Sequence, residues 1–341
     1  MPSPEVEPHD AVAPSPRAAR VPQVRHRLLA WFRANARDLP WRRTRDPYAV
    51  LVSEVMLQQT QVDRVIPHYR AFLDRFPTTD ALAAAPTADV IRQWAGLGYN
   101  RRAVNLQRTA AAVVARGGFP TSPVALRELP GVGPYTAGAV ACFALEQDVA
   151  FVDTNMRRVI QRLFFGAEGH TPPVPERQIL EVAAELVPTG NGWEWNQALI
   201  EFGALHCTAR KPACVVCPLQ AQCAAFPEVL SPVPPAQIMP RRSPEQFASS
   251  SRYYRGRILA AVRDAGPDEN GLSYEELGPR LRPDYSAEHQ DWLVALVDGL
   301  AKDGLVAIAE ESVPYDARPE EDPTSDPSGS PQSSPRRVRL P

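Results

Sequence analysis

The stretch CTARKPACVVCPLQAQC, residues 207–223, sets four cysteines in a C-x6-C-x2-C-x5-C run. The chain has five cysteines in 341 residues, so this clustering points to one shared site. Four thiolates on a short, loop-rich segment can close around a zinc ion or an iron–sulfur cluster. Structural zinc usually uses two C-x2-C pairs, whereas only one is present here, so the spacing favours a [4Fe-4S] cluster. The predicted ligands are Cys207, Cys214, Cys217 and Cys223.

Two disulfides are the less favoured reading of these cysteines. Nothing upstream resembles a secretory signal, and the chain is large for a disulfide scaffold. The fifth cysteine, Cys142, lies in the apolar run TAGAVACFAL and is predicted to be a buried core residue. No apolar stretch approaches the length of a membrane span, so no membrane partner is expected.

The net charge of −2 conceals an asymmetry along the chain. Residues 21–225 hold 22 Arg and Lys against 17 Asp and Glu, and the remaining residues hold 15 against 22. The basic part could therefore face phosphates while acidic ends mask it in the total.

Helical periodicity dominates from Val24 to Cys223, because apolar residues recur there at three- and four-residue steps. Strand-like alternation is hard to find, and Pro and Gly punctuate the segments at short intervals. A compact all-α domain is expected, followed by a winged-helix-like module of three helices and a strand. The predicted ranges are a disordered N-terminus at 1–21, a linker at 227–250, the module at 251–312 and a disordered tail at 313–341.

The segment LPGVGPYTAG, residues 129–138, lies between two helical patterns. Gly131 and Gly133 permit backbone conformations closed to other residues and let a phosphate approach the main chain. Successive N–H groups before a helix start bind anionic oxygens without reading sequence. An ordinary connection between two helices would also use glycine, so both readings stand for this segment alone. The pattern looks like a helix-hairpin-helix element.

Two carboxylates each have a structural and a catalytic interpretation. Asp153 in FVDTNMRRV follows an apolar pair and precedes a helix start, as a helix N-cap does. Its oxygens could still face a cleft, and Asn155 could hold them by hydrogen bonding. Glu54 in LVSEVMLQQTQV lies within an otherwise apolar helix face, where a carboxylate is costly to bury. It is a paired structural residue, a side chain that snorkels to solvent, or an acid held protonated for use.

Together these segments resemble the helix-hairpin-helix iron–sulfur DNA glycosylases, and within them the adenine DNA glycosylases of the MutY type. The resemblance covers about residues 22–226 and implies a six-helix domain at 48–150 and a cluster-bearing helical domain at 22–47 and 151–226. Its landmarks are LPWR (39–42), PY (47–48), SEVMLQQTQV (53–62), GLGY (96–99), LPGVGPYTAG (129–138), VDTN (152–155), NQALIEFGALHC (196–207) and the four cysteines.

The resemblance implies removal of adenine from mispairs with 8-oxoguanine or guanine in double-stranded DNA, after the nucleotide is flipped out of the duplex. Glu54 would protonate adenine, and Asp153 would stabilise the positive sugar that develops. The other implied site residues are Asn155 and Tyr135 as catalytic support, Trp41, Arg42 and Leu57 in the adenine pocket, Gln59, Thr60 and Tyr99 at the base stack, and Gly131 and Gly133 at the phosphates.

Position 135 separates two reactions within this group. Endonuclease III relatives carry there a lysine that attacks the sugar, whereas this chain has Tyr135. A monofunctional glycosylase with at most weak lyase activity is therefore expected.

Three departures from the family pattern concern other positions. Asn100 replaces a second tyrosine after GLGY, and Thr154 replaces a common glycine. Residues 226–341 show no loop like the FSH loop of the Nudix-like domain that reads 8-oxoguanine in many members, which leaves the choice between 8-oxoguanine and guanine open.

Two other functions fit the same scaffold. One is a mismatch thymine or uracil glycosylase, against which Glu54 argues because N7 protonation is purine chemistry. The other is a non-catalytic DNA-damage binder, against which the presence of both Glu54 and Asp153 argues. The expected protein is a monomeric base excision repair enzyme in the bacterial cytoplasm, associated with the nucleoid.

Overall fold

The computed structural model describes residues 17–232, 243–266, 271–310 and 336–341. The described residues form α-helices, short 3-10 turns and three strands that all lie after residue 270. The helices are α1 Val21–Asn35, α2 Pro47–Leu57, α3 Val62–Arg75, α4 Thr79–Ala84, α5 Thr87–Gln93, α6 Arg101–Ala115, α7 Pro123–Leu126, α8 Pro134–Phe143, α9 Thr154–Phe164, α10 Glu176–Leu186, α11 Gly192–Leu205, α12 Pro244–Ala248, α13 Ser251–Asp264, α14 Tyr274–Leu281 and α15 Gln290–Lys302. The strands are β1 Leu272–Ser273, β2 Ala307–Glu310 and β3 Arg336–Arg339.

The prediction of an all-α domain is confirmed, since every regular element within residues 17–232 is helical. None of the helices in the described ranges is long and apolar enough to cross a membrane. The predicted disorder of residues 1–16 lies outside the described residues. Residues 18–20 form a 3-10 turn, and α1 begins at Val21.

Contacts divide the chain into two compact units. The first holds the described residues of 1–50, 121–127 and 132–239, and the second those of 51–120, 128–131 and 240–341. This division differs from the predicted boundaries of the six-helix domain and of the C-terminal module. Residues 48–50 and 121–127 belong to the first unit. Residues 132–150, with α8, belong to the first unit, because α8 packs against α11. The C-terminal module belongs to the second unit with α3–α6.

Helix α11 is the centre of the first unit. It packs against α1, α8 and α9, and its residues Trp195, Ala198, Leu199 and Phe202 are at most 1% exposed. A helix that is apolar on most of its faces must be buried on most of its faces. Helix α9 also packs against α10.

In the second unit, α6 packs against α4 and α5. Thr78 caps α4 by accepting a hydrogen bond from the Ala81 N–H, as a threonine at that position commonly does. The apolar core of the C-terminal module continues onto this layer, because Ile91 of α5 and Val104 of α6 belong to the same buried cluster as Ile258, Leu277 and Val297.

The C-terminal module consists of α13, α14 and α15 with a three-stranded antiparallel sheet in the order β1-β3-β2. The winged-helix-like arrangement expected from the sequence is present. The disordered tail predicted for residues 313–341 is wrong at its end, because Arg336–Arg339 form the middle strand. Val338 explains why this segment is ordered as a strand, because it is apolar, pairs with Leu272 and Ile308, and is fully buried.

Candidate active site

Glu54 lies in the second half of α2. The first turn of this helix is capped by Asp46, whose carboxylate accepts hydrogen bonds from the Tyr48 and Ala49 N–H groups at 3.1 and 3.3 Å. Glu54 is 6% exposed, so the sequence expectation of a carboxyl on a buried helix face holds. Leu57, the last residue of α2, is half-buried.

Asp153 is the N-cap of α9, as its sequence context indicates. Its Oδ1 accepts a hydrogen bond from the Met156 N–H at 2.7 Å, and its Oδ2 accepts one from Asn155 Nδ2 at 3.1 Å. Asn155 Oδ1 in turn accepts a hydrogen bond from Arg158 Nη2 at 2.9 Å. Burial raises the pKa of Asp153 above its ordinary value, although these hydrogen bonds and the charge of Arg158 oppose the shift. The side chain is partly exposed, so one carboxylate both caps a helix and faces outward.

Tyr135 is the second residue of α8, which begins directly after the glycine-containing turn. Its ring meets the Phe151 ring edge-on, with 5.4 Å between the centroids. This contact places Tyr135 in the first unit with Asp153, two residues beyond Phe151 in the chain.

The turn before α8 contains the two glycines of the predicted phosphate contact, Gly131 and Gly133. Gly131 has a φ of +75°, and a Cβ at this position would lie 2.9 Å from the Asn105 Cβ. Gly133 is the N-cap of α8, and a Cβ there would meet nothing within 4 Å. The open space at Gly133 lies at a helix N-terminus, where N–H groups are available to an anion.

Trp41 and Arg42 lie in a 3-10 turn, Pro40–Arg42, and Trp41 is 6% exposed. The donors of Arg42 are already engaged within the protein. Its Nε donates to Gln197 Oε1 at 2.7 Å, and its Nη2 donates to Glu201 Oε2 at 3.0 Å. Arg42 therefore contributes to a buried ion-pair network beside Trp41, a role that the sequence did not indicate.

Glu201 of α11 is the centre of that network and was not predicted. It is fully buried and accepts hydrogen bonds from Arg37 Nε and Nη2 at 2.9 and 2.8 Å as well as from Arg42. Burial alone would raise its pKa, but the hydrogen bonds from Arg37 and Arg42 outweigh burial and lower the pKa to about 2. A buried carboxylate on a helix rich in apolar residues, NQALIEFGAL, was the available signal.

Gln59 and Tyr99 lie in two separate loops of the second unit and share an unusual backbone conformation. Their φ angles are +56° and +47°, a region that residues other than glycine rarely adopt. Such backbone strain clusters at functional sites. Tyr99 is 39% exposed, so its ring is accessible from outside the protein.

Arg102 joins these two loops and was also missed by sequence reasoning. Its guanidinium makes seven hydrogen bonds of at most 3.4 Å, four to the end of α2 and the loop after it and three to the loop before α6. The acceptors are the carbonyl oxygens of Val55, Met56, Gln58, Leu97, Gly98 and Tyr99, and the hydroxyl of Thr60.

The environment of Arg102 explains its role and shows which sequence feature could have identified it. Burial lowers its pKa to about 10, so it stays charged near neutral pH. It is the second residue of α6, where the helix dipole disfavours a cation. An arginine in the first turn directly after GLGY was therefore the available signal.

The four predicted cluster ligands line one cavity in the first unit. Val159, Leu163, Phe202 and Leu219 contribute its apolar wall, and Arg162 and His206 its polar part. Arg162 Nη1 lies 3.5 Å from Cys207 Sγ, and Arg158 Nε donates to the Cys207 carbonyl at 2.8 Å. Two 3-10 turns, Cys214–Val216 and Gln220–Gln222, fold the segment back on itself.

The chemistry of this cavity suits an iron–sulfur cluster. Burial raises the pKa of Cys217 to about 11, and the neighbouring thiols add to the shift. Four thiolates can share so small a space only when a positive metal centre compensates their charge. Four soft sulfur donors around an apolar cavity are the donor set of such a cluster. Within the described ranges, no three His, Cys, Asp or Glu side chains are grouped so as to hold a single metal ion.

Comparisons with known proteins agree with this site. Residues 52–185 match the family model described as HhH-GPD superfamily base excision DNA repair protein. Residues 207–223 match the iron-sulfur binding domain of endonuclease III, and this match begins and ends on a cysteine.

Similar curated proteins include adenine DNA glycosylases from bacteria and mammals. The one from Mycolicibacterium smegmatis is 39% identical over 293 residues, which cover 83% of this chain and 95% of that protein. The one from Mycobacterium tuberculosis is 45% identical over 243 residues, which cover 70% of this chain and 78% of that protein. The one from Homo sapiens is 41% identical over 218 residues, which cover 61% of this chain and 40% of that protein.

Solved structures with a similar fold include a thermostable thymine-DNA glycosylase, with a TM-score of 0.57 and 31% identity over 62% of this chain and 98% of that chain. A non-covalent endonuclease III–DNA complex has a TM-score of 0.52 and 25% identity over 60% of this chain and 94% of that chain.

The site and the comparisons agree. The site has a buried Glu54, a helix-capping Asp153, a glycine hairpin and a cavity lined by four thiols. We conclude that the chain belongs to the adenine DNA glycosylase family of helix-hairpin-helix base excision repair proteins and carries its [4Fe-4S] cluster.

Proposed function

We propose that this protein is a monofunctional DNA glycosylase that flips adenine out of A:8-oxoguanine and A:G mispairs and removes it by hydrolysis, leaving an abasic site. The observation that carries this proposal is the pair of carboxylates in different settings. Glu54 is buried on an apolar helix face, and Asp153 is hydrogen-bonded and partly exposed. Two carboxyl groups in unlike environments can serve as acid and as anion in the same reaction.

In the proposed reaction, Glu54 donates a proton to N7 of the flipped adenine, and the C1′–N9 bond breaks with both electrons leaving on the base. The Asp153 carboxylate stabilises the positive charge that develops at C1′. Water then adds to C1′ and loses a proton. Asn155 and Arg158 position the Asp153 carboxylate through the hydrogen bonds described above.

The other predicted site residues take supporting roles in this proposal. Trp41 and Leu57 each take part in binding the flipped adenine, and Arg42 holds the Trp41 turn through Glu201. Gln59, Thr60 and Tyr99 enter or border the distorted base stack, and Arg102 fixes their loops. Gly131 and Gly133 bring backbone N–H groups to a phosphate. The [4Fe-4S] cluster, held by the four cysteines, supplies a structural cross-link for the segment that carries Arg210 and Lys211.

The presence of Tyr135 favours base removal without strand cleavage. A phenol cannot form the Schiff base with the sugar that an amine forms, so strand cleavage is not expected. We further propose that the protein acts as a monomer on chromosomal DNA in the bacterial cytoplasm.

A thymine glycosylase is the second candidate. One similar structure carries that name, and the match covers 98% of the chain of that structure. Glu54 favours adenine over thymine, since thymine has no N7 to protonate.

The test uses purified protein with duplexes that contain A opposite 8-oxoguanine, A opposite G, or T opposite G. Release of adenine from the first two, with strand breakage only after alkali, is expected. Release of thymine alone would favour the second candidate, and no release from any duplex would sink both. The Glu54→Gln variant should bind the adenine duplexes and lose excision by about 10²–10⁴-fold. A matched Glu128→Gln variant, which changes an exposed glutamate, should behave like the unmodified protein.

A further inference from the structure

A groove of about 580 Å³ lies within the second unit, beside Tyr99. One wall is the start of α6 with the loop before it, and the other is the corner where α12 meets α13 in the C-terminal part of the chain. The residues that matter for its chemistry are Tyr99, Arg101, Phe247, Arg252, Arg255 and Asp303. The whole of the second wall lies outside residues 52–185, which match the superfamily model.

Arg252 is the most informative residue of this groove. Its guanidinium carbon lies 3.9 Å from the centroid of the Tyr99 ring and 5.9 Å from that of Phe247. The side chain is exposed, and in the described ranges no carboxylate forms an ion pair with it. Its charge is thus held against an aromatic face rather than neutralised.

The charge of the whole groove is positive. Arg101 and Arg255 share the carboxylate of Asp303, with N–O distances of 3.5 and 2.5 Å. Arg102 also borders the groove, so four arginines face a single aspartate. The chain as a whole has a net charge of −2. The excess of positive charge in the groove therefore does not follow from the overall composition.

A DNA strand fits this combination of features. Guanidinium groups bind phosphates, and the faces of Tyr99 and Phe247 suit sugars and bases. A volume of about 580 Å³ is within the range of roughly 300–1,000 Å³ that is usual for small-ligand pockets. The groove also adjoins Tyr99, which the proposed function places at the distorted base stack.

We propose that this groove extends the DNA-binding surface, and that Arg252 contacts a phosphate of the strand next to Tyr99. The C-terminal module then contributes directly to DNA binding. The inference rests on the proposed function, because Tyr99 must lie at the DNA for Arg252 to reach a phosphate.

The test compares full-length Arg252→Ala and Arg252→Glu with Arg280→Ala and Arg280→Glu. Arg280 is an exposed arginine of α14 in the same module that does not line the groove, so the charge changes are matched. The probe is a fluorescent duplex with a tetrahydrofuran abasic site opposite guanine, which no glycosylase can consume. Affinity is measured by anisotropy at several salt concentrations.

If Arg252 contacts one phosphate, its loss makes the slope of log K against log salt shallower by about 1. Affinity at low salt should fall by roughly threefold to tenfold in Arg252→Ala and further in Arg252→Glu, while both Arg280 variants match the unmodified protein. An unchanged slope in Arg252→Ala, or equal losses in the Arg280 variants, would overturn the inference even if adenine excision is intact. An unmodified protein that neither binds this duplex nor excises adenine would overturn the proposed function itself.

Discussion

At the scale of single residues, Asp153 combines a structural and a chemical role at some cost to the fold. As an N-cap it stabilises α9, yet burial raises its pKa, so ionising it in the folded state is unfavourable. The folded state then binds the Asp153 proton more tightly than the unfolded state does. The resulting destabilisation is absent at low pH and grows as the pH rises through the folded-state pKa.

The raised pKa of Asp153 predicts the behaviour of Asp153→Asn. Asparagine caps helices about as well as aspartate but carries no charge, so excision should fall by about 10²–10³-fold while the fold is kept. In thermal melts, the variant should match the unmodified protein at acidic pH and exceed it as the pH approaches neutrality. A variant that is less stable at neutral pH would show that ionised Asp153 stabilises the fold.

Arg102 leads to a second prediction for a single residue. Lysine keeps the charge but has three donors in place of the guanidinium fork, so Arg102→Lys cannot hold both loops at once. Single-turnover excision should slow by at least about tenfold, or ~1.4 kcal/mol of activation free energy. The control is Arg108→Lys, an exposed arginine on the same helix. A lower melting temperature with an unchanged excision rate would reduce Arg102 to a structural residue.

Sequence reasoning found residues whose chemistry is visible from local context. Glu54 stands out in an apolar run, Asp153 precedes a helix, and the cysteines are clustered. It missed Glu201 and Arg102 because their partners are distant in the chain. Glu201 is paired with Arg37, 164 positions away, and Arg102 binds carbonyls up to 47 positions away. Backbone carbonyl acceptors leave no signature in the identity of the residues that carry them.

At the scale of elements, the turn before α8 offers a matched pair of glycines. Gly131→Ala should lower stability by at least about 1–2 kcal/mol, because alanine is strained at positive φ and its Cβ would contact Asn105 at 2.9 Å. Gly133→Ala should leave stability within about 0.5 kcal/mol, since its φ is −86° and its Cβ meets open space. If a phosphate approaches that space, Gly133→Ala will nevertheless bind duplex DNA more weakly.

Thermal melts and anisotropy titrations on both variants check this prediction. DNA binding by Gly133→Ala that equals that of the unmodified protein would place the phosphate elsewhere.

Helices were predictable from periodicity, whereas the strands were only partly so. The sequence indicated the strand at GLVAIAEE, which contains β2. It did not indicate β1 and β3, because β1 has two residues and β3 lies in a basic, proline-flanked segment. In RRVRLP only Val338 and Leu340 are apolar, and this alternation is too short to distinguish from chance.

At the scale of the whole molecule, the C-terminal module depends on that last strand. Val338→Asp would place a carboxylate in the fully buried position between Leu272 and Ile308, at a cost of several kcal/mol. The module should then be cut rapidly by protease while residues of the first unit stay protected. Limited proteolysis with mass spectrometry checks this, with the exposed Arg336→Asp as the control. Equal resistance of Val338→Asp and the unmodified protein would contradict the role of β3 in the module.

The position of β3 also has a consequence for biosynthesis. Domains generally fold from the N-terminus onward as the ribosome extends the chain. The helices that carry Glu54, Asp153 and the cysteines have left the ribosome well before residues 336–341 are translated. Strands β1 and β2 both await β3, which lies between them in the sheet. The sheet of the C-terminal module can therefore close only after residues 336–339 have left the ribosome, later than the helices that carry the proposed catalytic residues and the cluster ligands.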